Sequence, residues 1–324
     1  MTIRDIFFND AGRLRSGWRL VSFVILLYLT LIILGGVIWV GYGVLINIAP
    51  SFRSRTYIQD LIYRGVMLLA ALGVGYVCGR LLEGLPWRAL GASLHKGWIK
   101  HLLFGSLIGL LSLTFATAIA TVAGGLSFTI AGSSTLSLVA RTLFGSAVIF
   151  IIAAFAEEAL FRGYPVQTLT RAQLAWLAIL INFVFFAAAH MNNPNWVPLA
   201  AFNTGLAGIW LTVAYLRSRS LWFPLGVHWA WNWSLGSLFG LPVSGLNFSS
   251  HPLLRGSDLG PAWLTGGSYG IEGGVACTLA LTLSTVFIWR TRLIQPDEEL
   301  LRLTSQENPK EKEPLSILSD EPSY

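Results

Sequence analysis

Charge is what this chain has least of. Asp, Glu, Lys and Arg make up only 12% of its 324 residues, against about a quarter in soluble domains. Hydrophobic residues make up 54% and the mean hydropathy is +0.63. These values exclude the pair of soluble domains that the length alone would suit, and they exclude a disordered chain. Cysteine is nearly missing: Cys78 and Cys277 both lie in apolar stretches, with no disulfide framework and no CxxC metal pair. The net charge is +6, yet there is no cluster of Lys and Arg with interleaved aromatics, so nucleic acid is not an expected partner. No internal repeat of the kind found in inverted-repeat transporters is visible, and HExxH is absent.

What is present suits a lipid bilayer. There are 33 glycines and 13 tryptophans; glycine lets helices approach closely in lipid, and tryptophan favours the interface. A span needs ~20 apolar residues to cross ~30 Å of hydrocarbon. Uncharged stretches near that length predict an all-α polytopic membrane protein of about eight transmembrane helices, over 20–46, 58–79, 101–124, 137–169, 172–191, 196–216, 221–239 and 273–290. The first run exceeds a signal-peptide core of ~7–15 residues and no convincing cleavage site follows it, so it reads as a retained helix. Asp60 and Arg64 interrupt the second span; Glu157, Glu158 and Arg162 interrupt the fourth. Segment 124–136, with Gly124, Gly125, Gly132, Ser133 and Ser134, reads as a turn, and 240–272, with Pro242, Pro252, Pro261 and Gly266-Gly267, as a long loop. From Gln295 the composition turns to Glu, Lys, Ser and Pro and reads as a disordered tail.

The basic residues are distributed unevenly across these spans. Arg4, Arg13, Arg15, Arg19, Arg80, Arg88, Lys96, Lys100, Arg162, Arg171, Arg217, Arg219 and those from Arg290 fall on one side, while Arg53, Arg55, Arg64, Arg141 and Arg255 fall on the other. By the positive-inside rule both termini are cytoplasmic.

Three polar groupings stand out inside apolar helices. Glu157 and Glu158 follow a long apolar run, and an acid at depth costs roughly 2.5–3.5 kcal/mol even on the lenient insertion scale. Arg162 is four residues after Glu158, on the same helical face, whereas Glu157 is rotated by roughly 100° from its neighbour and lacks that partner. The bland alternative is an acid pair that packs helices. His190 ends the next span, with Phe186 one turn earlier; His228 and Asn232 share a face of the seventh. Trp229, Trp231 and Trp233 read as packing residues, and His95, His101 and His251 as connecting or interfacial ones. At ~1.5 Å per residue, Glu157, His190 and His228 stand ~21, ~27 and ~12 Å from one membrane side, so they meet if the helices tilt or begin outside the hydrocarbon. Together, a carboxylate and an imidazole can deprotonate a water while a second His and an Asn donate to an oxyanion. Glu157, His190 and His228 also match the ligand types of hydrolytic zinc sites, so a divalent metal and a metal-free water both remain open.

Glu157-Glu158-x-x-Phe161-Arg162-Gly163, then Phe186-x-x-x-His190, then His228-x-x-x-Asn232 resembles the three-motif signature of the CAAX protease and bacteriocin-processing (CPBP, Abi) family of intramembrane endopeptidases. The segment 217–222, RSRSLW, resembles the family turn leading into the third motif. The resemblance covers residues 80–240. It sets off N-terminal helices over 1–79, a loop and final helix over 241–290, and a charged tail over 291–324.

The resemblance implies that Glu157 and His190 activate the hydrolytic water, that His228 and Asn232 stabilise the oxyanion, and that Glu158 and Arg162 support them. It implies a membrane-associated protein or peptide substrate, prenylated in the eukaryotic branch of the family, and a multi-pass protein of the bacterial plasma membrane. A non-catalytic scaffold of the same fold and a proton- or ion-coupled transporter are the competing classes.

Overall fold

The computed structural model describes residues 3–10, 12–49, 56–130 and 135–305, and most of these are helical. Arg53, Arg55, residues 131–134 of the expected turn and the tail from 306 lie outside the described residues. The short α1 (Ile3–Phe7) precedes α2 (Ser16–Ile48), α3 (Thr56–Glu83), α4 (Trp98–Val122), β1 (Leu126–Ile130), α5 (Leu136–Glu158) and α6 (Tyr164–Arg171). Then come α7 (Ala175–Ala189), α8 (Pro198–Ser218), α9 (Trp222–Trp233), β2 (Leu254–Asp258), α10 (Ala262–Thr265), α11 (Val275–Arg290) and α12 (Glu298–Ser305).

Among the described residues, five helical segments are long and apolar enough to cross a bilayer: Ser16–Ile48, Ile58–Glu83, Trp98–Val122, Leu136–Arg171 and Pro198–Ser218. The apolar helices Ala175–Ala189 and Val275–Arg290 are shorter, and α9 is extended by a π-helical turn, Ser234–Leu238. These segments follow the expected spans one for one, and the chain is a polytopic all-α membrane protein. The difference is in length. Helix α7 has 15 residues, ~22 Å at 1.5 Å per residue, because Gln173 in the left-handed region (φ 62°) breaks the chain before it and the Asn- and Pro-containing stretch 192–195 follows it.

Two loop expectations are corrected. Segments 124–136 and 240–272 are not plain coil: β1 pairs antiparallel with β2, with Leu126 opposite Asp258 and Ile130 opposite Leu254. Glycine and proline signals mark the ends of such short strands and hide the alternation between them; Leu126 is buried and the Phe128 ring meets Phe239 at 5.4 Å. The tail is not disordered over its first part either. Helix α12 buries Leu300 and Thr304, Asp297 accepts from the amides of Glu299 and Leu300, and Glu299 pairs with Arg88 at 2.7 Å. Average composition missed one amphipathic turn pair within a polar stretch.

The helix that carries the third motif is held backbone to backbone. A Cβ at Gly105 or Gly109 of α4 would collide with the carbonyls of Phe223 and Val227 on α9, and one at Gly226 of α9 with the carbonyl of Leu102. Gly105-x-x-x-Gly109 is therefore a small-x-x-x-small contact. On the other flank, the Trp229 and Trp233 indoles donate to the carbonyls of Ala147 and Leu143 on α5, each at 3.0 Å. The N-terminal helices join the bundle through a buried ion cluster in which Glu83 of α3 accepts from Arg19 of α2 and Arg171 of α6.

Gly109→Leu should prevent α9 from seating, with the protein recovered aggregated by size-exclusion chromatography, whereas Gly35→Leu, on a stretch of α2 with nothing near its added Cβ, should leave the elution profile unchanged.

Candidate active site within the helical bundle

Helix α5 ends on Glu157 and Glu158, and the chain widens into a π turn over Ala159–Gly163 before α6 begins. Pro165 gives the cause: it has no N–H to return to the carbonyl of Phe161, and its ring crowds that carbonyl. Single π turns of this kind recur at functional sites.

Glu158 and Arg162 have fully buried side chains, with Arg162 Nη1 3.3 Å from Glu158 Oε1. The pairing read from the helix face is present, and a second partner joins it. His228 Nδ1 lies 2.8 Å from the same Glu158 oxygen. A carboxylate oxygen only accepts, so Nδ1 carries the hydrogen and Nε2 points elsewhere. That Nε2 stands 3.8 Å from Glu157 Oε2, beyond a direct hydrogen bond. Glu157 is more open than its neighbour, with 19% of its side chain exposed, and its Oε2 has no hydrogen-bond partner among the described residues.

Phe186 is where the three motifs meet. The Arg162 guanidinium lies over its ring at 4.4 Å from the centroid, the Phe161 ring meets it edge-on at 5.2 Å, and the rings of His190 and His228 stand 4.8 and 6.1 Å away. Its carbonyl accepts from His190 Nδ1 at 2.8 Å, which leaves the His190 Nε2 lone pair free for a ligand or a water. His190 caps the C-terminal end of α7. The backbone of α7 reaches this position because Gly208 of α8 lies against the Asn182 carbonyl, where any Cβ would clash.

Two cavities adjoin this cluster. One is a small chamber of about 40 Å³ bounded by His190, His228, Asn232 and Glu272 among others, room for roughly three waters at ~10–15 Å³ each. The other is a cleft of about 360 Å³ walled by Met67, Glu157, Phe161 and Phe248 and also reached by His190 and Asn232. His190, Asn232 and Ser244 line both. Of the six residues expected from sequence, Glu158, Arg162 and His228 are in direct contact, while Glu157, His190 and Asn232 share the cleft.

Glu272 escaped the sequence reading. Its carboxylate accepts from Trp231 Nε1 at 3.0 Å and from the Ser244 amide and hydroxyl at 2.5 and 3.2 Å, so it ties the loop after α9 to the residue beside Asn232. Asn203 of α8 holds the same loop through the carbonyls of Glu272 and Gly274. A signal existed: Glu272 is the sole charged residue between Asp258 and Arg290. By contrast, His95 bonds Ser220 Oγ and His101 the Gln295 carbonyl, away from the cluster.

These side chains share one feature with metal sites and lack another. Both imidazoles have Nδ1 tied and Nε2 available, which is the outer-shell pattern of metal-bound histidines. Placement does not match: among the described residues no three of His, Cys, Asp and Glu stand where they could hold a metal ion, Glu157, His190 and His228 included.

Residues 140–234 match the family model described as Type II CAAX prenyl endopeptidase Rce1-like. This segment is similar to the CAAX-type endopeptidases of the CPBP family. All three motifs lie inside the matched segment, which has the fold of CAAX-type intramembrane proteases. Among curated proteins, an "Uncharacterized 24.3 kDa protein" of Escherichia coli is 37% identical over 94 residues, 28% of this chain and 42% of that one. The chain thus spans less than half the length of that curated relative. No solved structure matches it.

Within the matched segment, Glu158 holds Arg162 and His228 at once, so Glu158→Gln should lower thermal stability in detergent and loosen His228. Arg162→Ala should cost more, roughly 3–5 kcal/mol, because it leaves a buried carboxylate without its guanidinium. Thermal melts of both variants in one detergent check the order; equal stability to wild type in both would remove the pair from the fold's support.

Proposed function

We propose that this chain is an endopeptidase that hydrolyses a peptide bond of a membrane-associated protein or peptide inside the bilayer. One observation carries the reading: Glu157, His190 and Asn232 line one cleft, and His228 faces Glu157 from 3.8 Å while being held from behind by Glu158. The family description names a prenyl endopeptidase, and the apolar cleft wall of Met67, Phe150, Leu160, Phe161 and Phe248 suits an isoprenoid or an apolar peptide equally.

The chemistry follows from the donors and acceptors. Glu157 takes a proton from a water, and the His190 Nε2 lone pair accepts the water's second hydrogen, so the oxygen is aimed at the scissile carbonyl carbon. As the O–C bond forms, the carbonyl oxygen becomes an oxyanion that accepts from the Asn232 amide and from Nε2–H of a doubly protonated His228, whose charge Glu158 balances. Protonated Glu157 then gives its proton to the departing nitrogen as the C–N bond breaks, leaving a carboxylic acid and an amine. Glu158 is a poor base by comparison, because its Oε1 is already shared between Arg162 and His228. The arginines on the side of Arg4, Arg88 and Arg219 support cytoplasmic termini.

Glu157→Gln should remove turnover of a fluorogenic peptide by ~10²-fold or more, the scale of general-base catalysis, with an unchanged melting temperature. His190→Ala and His228→Ala should also lose turnover while eluting as folded protein. Retained turnover in Glu157→Gln would defeat the assignment.

Dialysis against a strong chelator should leave turnover intact, since the side chains do not gather as a ligand set. Loss with the chelator and return with Zn²⁺, with zinc found by elemental analysis, would instead make Glu157, His190 and His228 metal ligands.

A further inference from the structure

The cleft that reaches Glu157 and His190 has one Lys or Arg in its described lining, Arg64. This residue sits within the apolar span Ile58–Glu83, ~12 Å along α3 from Thr56 at 1.5 Å per residue. An ionisable group at that position is costly in lipid and calls for a partner or a role. Asp60, one turn earlier, answers part of it: Arg64 Nε donates to Asp60 Oδ2 at 2.7 Å. The two side chains differ in setting, Asp60 being 42% exposed and Arg64 22%. The pairing uses only Nε; Nη1 and Nη2 have no hydrogen bond to another described residue. Two parallel N–H groups on a planar fork match a carboxylate. Beside Arg64 the wall is formed by Tyr63 and Met67 from the same helix and by Leu160, Phe161 and Phe248. Helix α3 lies outside the family-matched residues 140–234, so this wall is supplied by the chain's own N-terminal part.

We infer that Arg64 is a specificity-determining residue of this cleft: its Nη1 and Nη2 bind a carboxylate of the substrate, the apolar wall takes the neighbouring side chains, and the Glu157 end receives the bond to be cut. This rests on the peptidase reading for its last clause only. The carboxylate is either the α-carboxylate of a peptide C-terminus or the side chain of an Asp or Glu.

The test is binding, not turnover, on the full chain in detergent with Glu157→Gln, so that no peptide is consumed. The probes are fluorescently labelled apolar pentapeptides of Leu, Val and Ala in three forms: free α-carboxylate, α-carboxamide, and α-carboxamide with one internal Asp. Fluorescence anisotropy should show the free-carboxylate form binding ~10-fold or more tightly than the carboxamide, the scale of a charge-assisted pair. Adding Arg64→Gln should erase that preference without weakening the carboxamide, and Arg64→Lys should keep part of it. If the internal Asp restores tight binding, the carboxylate is a side chain; if only the free terminus binds, it is the C-terminus. Equal binding of all three forms, no binding of any, or a preference that survives Arg64→Gln overturns the inference. Should Arg64→Gln fail to elute as folded protein, Arg64→Lys decides, and a full preference in it counts against the fork. Failure of the peptidase reading shows separately, as wild-type protein that binds the carboxylate peptide and leaves it uncut.

Discussion

A fully buried carboxylate must be met by donors, and Glu158 is met from two helices at once. Arg162 reaches it from the same helical stretch and His228 from α9. The pair and the imidazole hold each other in place, because removing any one leaves a charge or a donor stranded away from water. The Arg162 guanidinium then lies on the Phe186 ring, and Phe186 in turn fixes His190 through its carbonyl and its ring. A single buried charge therefore orders the side chains of all three motifs.

Such a cluster needs helices that come closer than ordinary side chains allow. Lipid offers no hydrophobic drive between helices, so close approach and hydrogen bonds do the holding. Gly105, Gly109 and Gly226 bring α4 and α9 into backbone contact, and Gly208 does the same for α8 against α7. Indole donors of Trp229 and Trp233 tie α9 to α5. The tryptophans read from sequence as packing residues thus set the angle at which His228 faces the two glutamates.

Neighbouring glutamates acquire different chemistry from position alone. Glu158 faces the bundle interior and is occupied by its partners. Glu157, one residue earlier, is turned by about 100° and faces a cleft together with His190 and Asn232. The far wall of that cleft comes from α3, anchored to the bundle by the Arg19–Glu83–Arg171 cluster, so helices outside the matched segment still shape the space a substrate would enter.

The order of apolar runs in the sequence was enough to establish a polytopic helical membrane protein, because hydrocarbon imposes length and apolarity on each span whatever its neighbours are. The Glu158–Arg162 pairing was legible too, since residues four apart on a helix must share a face. The meeting of His190 and His228 with the glutamates was not: depths counted along separate helices scattered by half a bilayer, and the short α7 and the close glycine contacts bring them together. Glu272, Asn203, the β1–β2 pair and α12 were also beyond reach, because each depends on a partner far along the chain, and a loop carries no periodicity to reveal what it will touch. Local periodicity determined which helices form and which faces are polar; which polar faces look at one another was decided by packing in three dimensions.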